Sequence, residues 1–127
     1  ELKFATIQKR ASTRMTNWVK AALTKDVSDD SIQQLNINGC KVALYRCGEE
    51  YFATSDVCTH AYALLSDGWL DGYEIECPLH GARFDVRTGA ALTSPAETAL
   101  ATYPVRVVGD AVEIDVTSAP SNPDAST

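Results

Sequence analysis

The chain has only two histidines and four cysteines in 127 residues, and each histidine closes a short motif that a cysteine opens. Cys58-Thr59-His60 comes first, and sixteen residues later follows Cys77-Pro78-Leu79-His80-Gly81. Residues this scarce would rarely fall by chance into two such pairs. Two thiolates and two imidazoles make four donors for one inorganic centre. The fold must therefore bring two separate loops together.

The donor set by itself leaves the metal open. Two Cys and two His satisfy tetrahedral zinc, whose ligand pairs usually enclose two to four residues. The single spacer of Cys58-Thr59-His60 fits that habit less well. The pattern resembles the Rieske iron–sulfur proteins, in which two Cys bind one iron of a [2Fe–2S] cluster and two His bind the other. By that resemblance Cys58 and Cys77 hold the inner iron, and His60 and His80 hold the outer, solvent-facing iron. The likeness extends through Leu65-Ser66-Asp67-Gly68-Trp69-Leu70-Asp71-Gly72, Ile75-Glu76 before the second motif, Phe84-Asp85, Thr88-Gly89 and Ser94-Pro95-Ala96. From about Trp18 to Val116 the chain looks like the small Rieske ferredoxins of bacterial aromatic-ring dioxygenases.

The local patterning is that of short strands and turns. Trp18 to Leu23 reads as an opening strand and Asp26 to Ser31 as polar loop. Ile32, Leu35 and Ile37 lead into Asn38-Gly39, the signature of a type I′ hairpin. Lys41 to Arg46 is the return strand, with Val42 and Leu44 on one face. After the Gly48-Glu49 turn comes a strand at Tyr51 to Thr54. Tyr73 to Glu76 and Phe84 to Val86 are further short strands. Thr102 to Val108, the Gly109-Asp110 turn and Ala111 to Val116 form a closing hairpin. Helical periodicity is missing. The expected fold is all-β: an antiparallel sandwich with a small cluster-binding subdomain inserted between its strands, as the resemblance also implies. By the resemblance, a proline loop at Ser94-Pro95-Ala96 covers the cluster from the side.

The length suits one domain. Residues 1–14 carry Lys3, Lys9, Arg10 and Arg14 against Glu1, a net +3, so of the overall −6 the remainder holds −9. That contrast, with the only methionine at Met15, reads as an added leader over 1–14. A basic targeting peptide is the alternative. The Rieske domain is then 15–117, and 118–127, rich in Ser, Pro, Asn and Asp, is a mobile tail. No apolar run approaches the roughly eighteen residues of a membrane span. Neither membrane association nor export is marked, and the expected location is the cytoplasm. Cys40 and Cys47 bracket one strand, about 23 Å apart at ~3.3 Å per residue, too far for a disulfide. They read as free thiols. The acidic balance disfavours nucleic acid and favours partners with basic docking surfaces. Arg83 and Arg87 either pair with nearby acids such as Asp85 or rim a docking face.

Function follows from the ligands. Two ferric ions, two sulfides and two thiolates are formally neutral, so mixed ligation raises the potential above that of all-Cys ferredoxins. An oxygenase would need a further two-His-one-carboxylate iron, and no histidine is left for it. The expected protein is not an enzyme. It is a one-electron carrier between a flavin-dependent ferredoxin reductase and a terminal Rieske oxygenase. The small subunit of an assimilatory nitrite reductase is the alternative. Respiratory Rieske proteins carry an extra Cys in each loop, where this chain has Ala63 and Leu79. High-potential Rieske proteins, which this chain resembles here, place hydroxyls where it has Ala82 and Phe84, so the expected potential lies at the low end of the family range.

Overall fold

A computed structural model describes residues 17–59, 63–79, 81–94 and 96–117. Among these residues ten strands form three antiparallel sheets: β1 (Val19–Leu23), β2 (Ser31–Ile37), β3 (Cys40–Cys47), β4 (Glu50–Ser55), β5 (Trp69–Asp71), β6 (Glu74–Glu76), β7 (Arg83–Asp85), β8 (Thr102–Tyr103), β9 (Val105–Val108) and β10 (Ala111–Ile114). The sheet orders are β1-β10-β9, β2-β3-β4-β8 and β5-β6-β7. Among the described residues the helical segments are two single 3₁₀ turns, Thr24–Asp26 and Leu65–Asp67. The all-β expectation therefore holds.

The β2–β3 hairpin forms as its sequence requires. Ile37 pairs with Cys40, and the two residues between them, Asn38 and Gly39, both take positive φ, 52° and 88°. That is the geometry of a type I′ turn, whose twist matches the flanking strands.

β3 is walled in on both sides. Val42, Ala43, Leu44 and Tyr45 are all fully buried. Val42 and Leu44 join Val27, Ile37, Ala53, Val112 and Ile114 in a core shared with the β1-β10-β9 sheet. Ala43 and Tyr45 face a second core with Leu65, Ile75, Phe84, Val86 and Leu100. The four-stranded sheet is thus the middle layer. The sandwich lies on one side of it, and the β5-β6-β7 subdomain, inserted between β4 and β8, lies on the other. Tyr45 places a hydroxyl in this second core and satisfies it with Thr54 Oγ1 at 2.8 Å; burial raises its pKa, chiefly by desolvation.

Two strands differ from the sequence reading. The run Thr102 to Val108 is not one strand. Pro104 lacks an N–H for a ladder, and at this residue the chain changes sheets. β8 pairs with β4, whereas β9 pairs with β10. The short strand β5 also escaped notice, because its three residues lie between Gly68 and Gly72. The expected tail and leader lie outside the described residues.

Candidate metal centre

Two loops present the cysteines, and both close in the same way. The Cys58 amide donates to the Ala63 carbonyl at 2.9 Å, and the Cys77 amide donates to the Ala82 carbonyl at 2.7 Å. In each case a cysteine N–H reaches the carbonyl five residues on. Gly81, at φ 72°, supplies the left-handed residue that the second loop needs to fold back. An isolated bridge between Val57 and Leu64 zips the base of the first loop. The second springs from the β6–β7 hairpin, in which Ile75 and Phe84 pair across the strands and are fully buried.

Cys58 and Cys77 lie 4% and 0% exposed in the same apolar core. Neither forms a disulfide. They meet: the Cys77 thiol is pushed up to about 11, chiefly by burial, with the Leu79 amide opposing the rise and a hydrogen bond with Cys58 adding to it. The Leu79 N–H lies 3.4 Å from Cys77 Sγ. Cys77, buried and facing Cys58 from a matched loop, is a poor thiolate on its own. A bound cation would replace its proton and remove that penalty. The soft donor pair therefore fits an iron–sulfur centre. His60 and His80 lie outside the described residues, as does Pro95.

The walls of the first loop depend on a residue that sequence reasoning missed. Asp56 is fully buried two positions before Cys58. Its carboxylate accepts the Ser66 amide and the Ser66 hydroxyl, both at 2.7 Å, and Gln34 Nε2 at 3.4 Å. Its own amide donates to the Lys41 carbonyl, and its carbonyl accepts the Leu65 amide. One residue thus ties both ends of the loop to β2 through its side chain and to β3 through its backbone. Only an Asp placed beside a cysteine motif hinted at this in the sequence. Thr59 Oγ1 donates to the Thr98 carbonyl at 2.7 Å, fastening the first loop to the segment that follows the proline loop.

Arg83 and Arg87 are both engaged by acids. Arg87 pairs with Asp85 at 2.9 Å and stacks on Tyr73, 4.2 Å from the ring centre. The guanidinium holds the Asp85 carboxyl below its ordinary range. Arg83 pairs instead with Glu74 at 2.8 Å and Glu76 at 3.0 Å, with Asp71 at 3.6 Å.

Residues 17–104 match the family model of the Rieske [2Fe-2S] domain. The chain belongs to that family, and its cofactor is a Rieske [2Fe–2S] cluster. It is 46% identical over 91 residues to the ferredoxin component of the naphthalene 1,2-dioxygenase/salicylate 5-hydroxylase systems of a Ralstonia species, covering 72% of this chain and 88% of that one. A solved complex of reduced oxygenase and oxidized ferredoxin in carbazole 1,9a-dioxygenase contains a chain 39% identical. The match covers 77% of this chain and 92% of that one, with a TM-score of 0.75. A putative nitrite reductase small subunit is more distant, at 25% identity, 77% and 97% coverage and a TM-score of 0.66. The protein is accordingly an electron-transfer ferredoxin of the multicomponent aromatic-ring dioxygenase type. No helix among the described residues is long and apolar enough to cross a membrane.

Proposed function

We propose that Cys58, His60, Cys77 and His80 hold one [2Fe–2S] cluster within a domain spanning 15–117. Through it the protein passes single electrons from a flavin-dependent reductase to a terminal aromatic-ring oxygenase. The observation that carries this reading is the meeting of two buried thiols, Cys58 and Cys77, from two loops closed by the same hydrogen bond. The cysteines supply the soft pair and the imidazoles the neutral pair that raises the potential above all-Cys ferredoxins. The cluster supplies a one-electron site. The protein's own part is to hold the loops rigid through Asp56 and Thr59, to exclude water from the sulfurs, and to aim the Leu79 amide at Cys77 Sγ. Such a donor stabilises negative charge on sulfur. Cys40 and Cys47, free and unpaired as disulfides, suit a reducing cytoplasm. The nitrite reductase alternative has the weaker support, given the higher identity to dioxygenase ferredoxins.

Metal analysis tests the assignment. Protein made under iron-replete conditions should contain two irons and two acid-labile sulfides per chain and be red-brown. Cys58→Ser and Cys77→Ser should each abolish the colour. Stoichiometric zinc in the purified protein would sink the assignment. Adding the protein to its reductase and oxygenase should restore NAD(P)H-driven oxidation of the aromatic substrate.

A further inference from the structure

The outer face of the β5-β6-β7 sheet carries a row of residues that the ligand argument does not use. Trp69 pairs with Glu76, and Glu76 pairs with Arg83. The Leu92 amide then bonds the Arg83 carbonyl at 2.8 Å, beside the bridge from Phe84 to Ala91. Residues directly opposite in a sheet share a face. The next row, Leu70, Ile75, Phe84 and Ala91, points into the core, so the row from Trp69 to Leu92 points out. At its two ends are large apolar side chains in solvent, Trp69 at 60% and Leu92 at 45% exposure, and Leu79 in the adjoining loop is 43% exposed. Between them Arg83 is shared by Asp71, Glu74 and Glu76, three carboxylates against one guanidinium. The face is thus net −2 with exposed aromatic and aliphatic anchors. An apolar centre with charged surroundings is how interfaces are built, and tryptophan is enriched among their energetic anchors. The row also abuts the centre, because Glu76 immediately precedes Cys77.

We propose that this face is a docking surface for a redox protein with a basic surface, with Trp69 as the apolar and cation–π anchor. The proposal rests on the electron-carrier reading above. The excess negative charge selects a partner bearing Lys or Arg, and an arginine or lysine of that partner can stack on the open indole ring while pairing with Asp71 or Glu74. Like charge on both copies disfavours self-association through the same face. A partner seated here lies against the strand that leads directly into Cys77, so binding and electron transfer use one location.

The test uses cluster-loaded protein in which Trp69→Ala or Asp71→Lys has been introduced. Asp71 is exposed at 76% and Trp69 lies on the outer face, so both variants should keep the wild-type visible spectrum and their reduction by dithionite. Stopped-flow rates are measured with the reductase as donor and with the oxygenase as acceptor, over a salt series. Trp69→Ala should lower the second-order rate constant about tenfold or more with at least one of the two, the size of an interface anchor. Asp71→Lys should lower it at low salt and flatten its salt dependence. Unchanged rates with both partners for Trp69→Ala, or an unchanged salt dependence for Asp71→Lys, would overturn the proposal while leaving the carrier reading intact. A wild-type dimer that Trp69→Ala dissociates would assign the face to self-association and likewise overturn it. Protein without a cluster would instead defeat the carrier reading itself.

Discussion

Gly68 is the residue at which one added methyl group should reach furthest into the centre. It precedes β5 with φ −92°, a value any residue accepts, so the argument concerns space alone. A Cβ there would lie 2.0 Å from the Glu76 carbonyl oxygen, 3.1 Å from the Glu76 carbonyl carbon and 3.2 Å from the Leu65 oxygen. All three are backbone atoms and none can swing away. Relief to the 3.0 Å that real contacts respect requires β5 and the end of β6 to part by about 1 Å. Glu76 precedes Cys77, so that displacement passes straight to a proposed ligand. Overpacking of this kind costs typically 1–3 kcal/mol, and with backbone on every side about 3 kcal/mol is expected. For a domain of this size that is a fall in apparent Tm of roughly 10–20 °C. Gly72→Ala is the control: it lies in the same hairpin with nothing within 4 Å, but has φ +62°. It should cost only the left-handed penalty of about 1–2 kcal/mol and keep its cluster. The assay is a thermal melt followed by circular dichroism and visible absorbance, with iron counted per chain. If Gly68→Ala melts within a degree or two of wild type with full iron content, the crowding argument is wrong.

Other outcomes follow from the same geometry. Asp56→Ala strips the Ser66 amide and hydroxyl of their acceptor and should destabilise the protein by about 2–4 kcal/mol, with faster iron loss to chelators; Asp56→Asn, which keeps an acceptor for the amide, should lose less than half of that. The reduction potential should lie near about −150 mV, and Ala82→Ser and Phe84→Tyr should each raise it in protein-film voltammetry, because both positions are fully buried in the core that holds Cys58 and Cys77. A potential above about +100 mV would contradict the absence of hydroxyl donors as its cause. Stopped-flow reduction of the wild-type protein by its reductase should slow as ionic strength rises, since exposed charges are screened beyond about 8–10 Å at physiological salt; a flat profile would point to chiefly apolar docking.

What could be read from the sequence was whatever depends on neighbours in the chain. Asn38-Gly39 dictates its own turn, and alternating Val42 and Leu44 dictate a strand. Two Cys-His pairs announce a centre. What could not be read depends on contacts distant in sequence. The pattern of β3 suggested one buried face, but Ala43 and Tyr45 are buried as well, because a subdomain formed by residues 20–50 positions later covers them. Alanine and tyrosine do not announce burial as Val and Leu do. Pro104 sits in a run that looks continuous, and only the positions of β4 and β10 decide that the chain should change partners there. Asp56 looked like one acid among many. Its burial follows from Gln34 and Ser66 arriving from either side. For Arg83, the sequence offered Asp85, whereas cross-strand register delivers Glu74 and Glu76.

The double-walled strand β3 also fixes its own alignment. In a sheet with one wet side, a slip of one residue exchanges buried for exposed side chains. Here there is no wet side to receive them. A slip would drive the Tyr45 hydroxyl away from Thr54 and into the all-apolar layer of Val112 and Ile114, and would set Leu44 against the space shaped for Ala43 and Tyr45. Either face alone would forbid the misalignment. Together they make β3 the ruler against which the sandwich and the metal-bearing subdomain are both measured, so a change of volume on one side is felt as a change of position on the other.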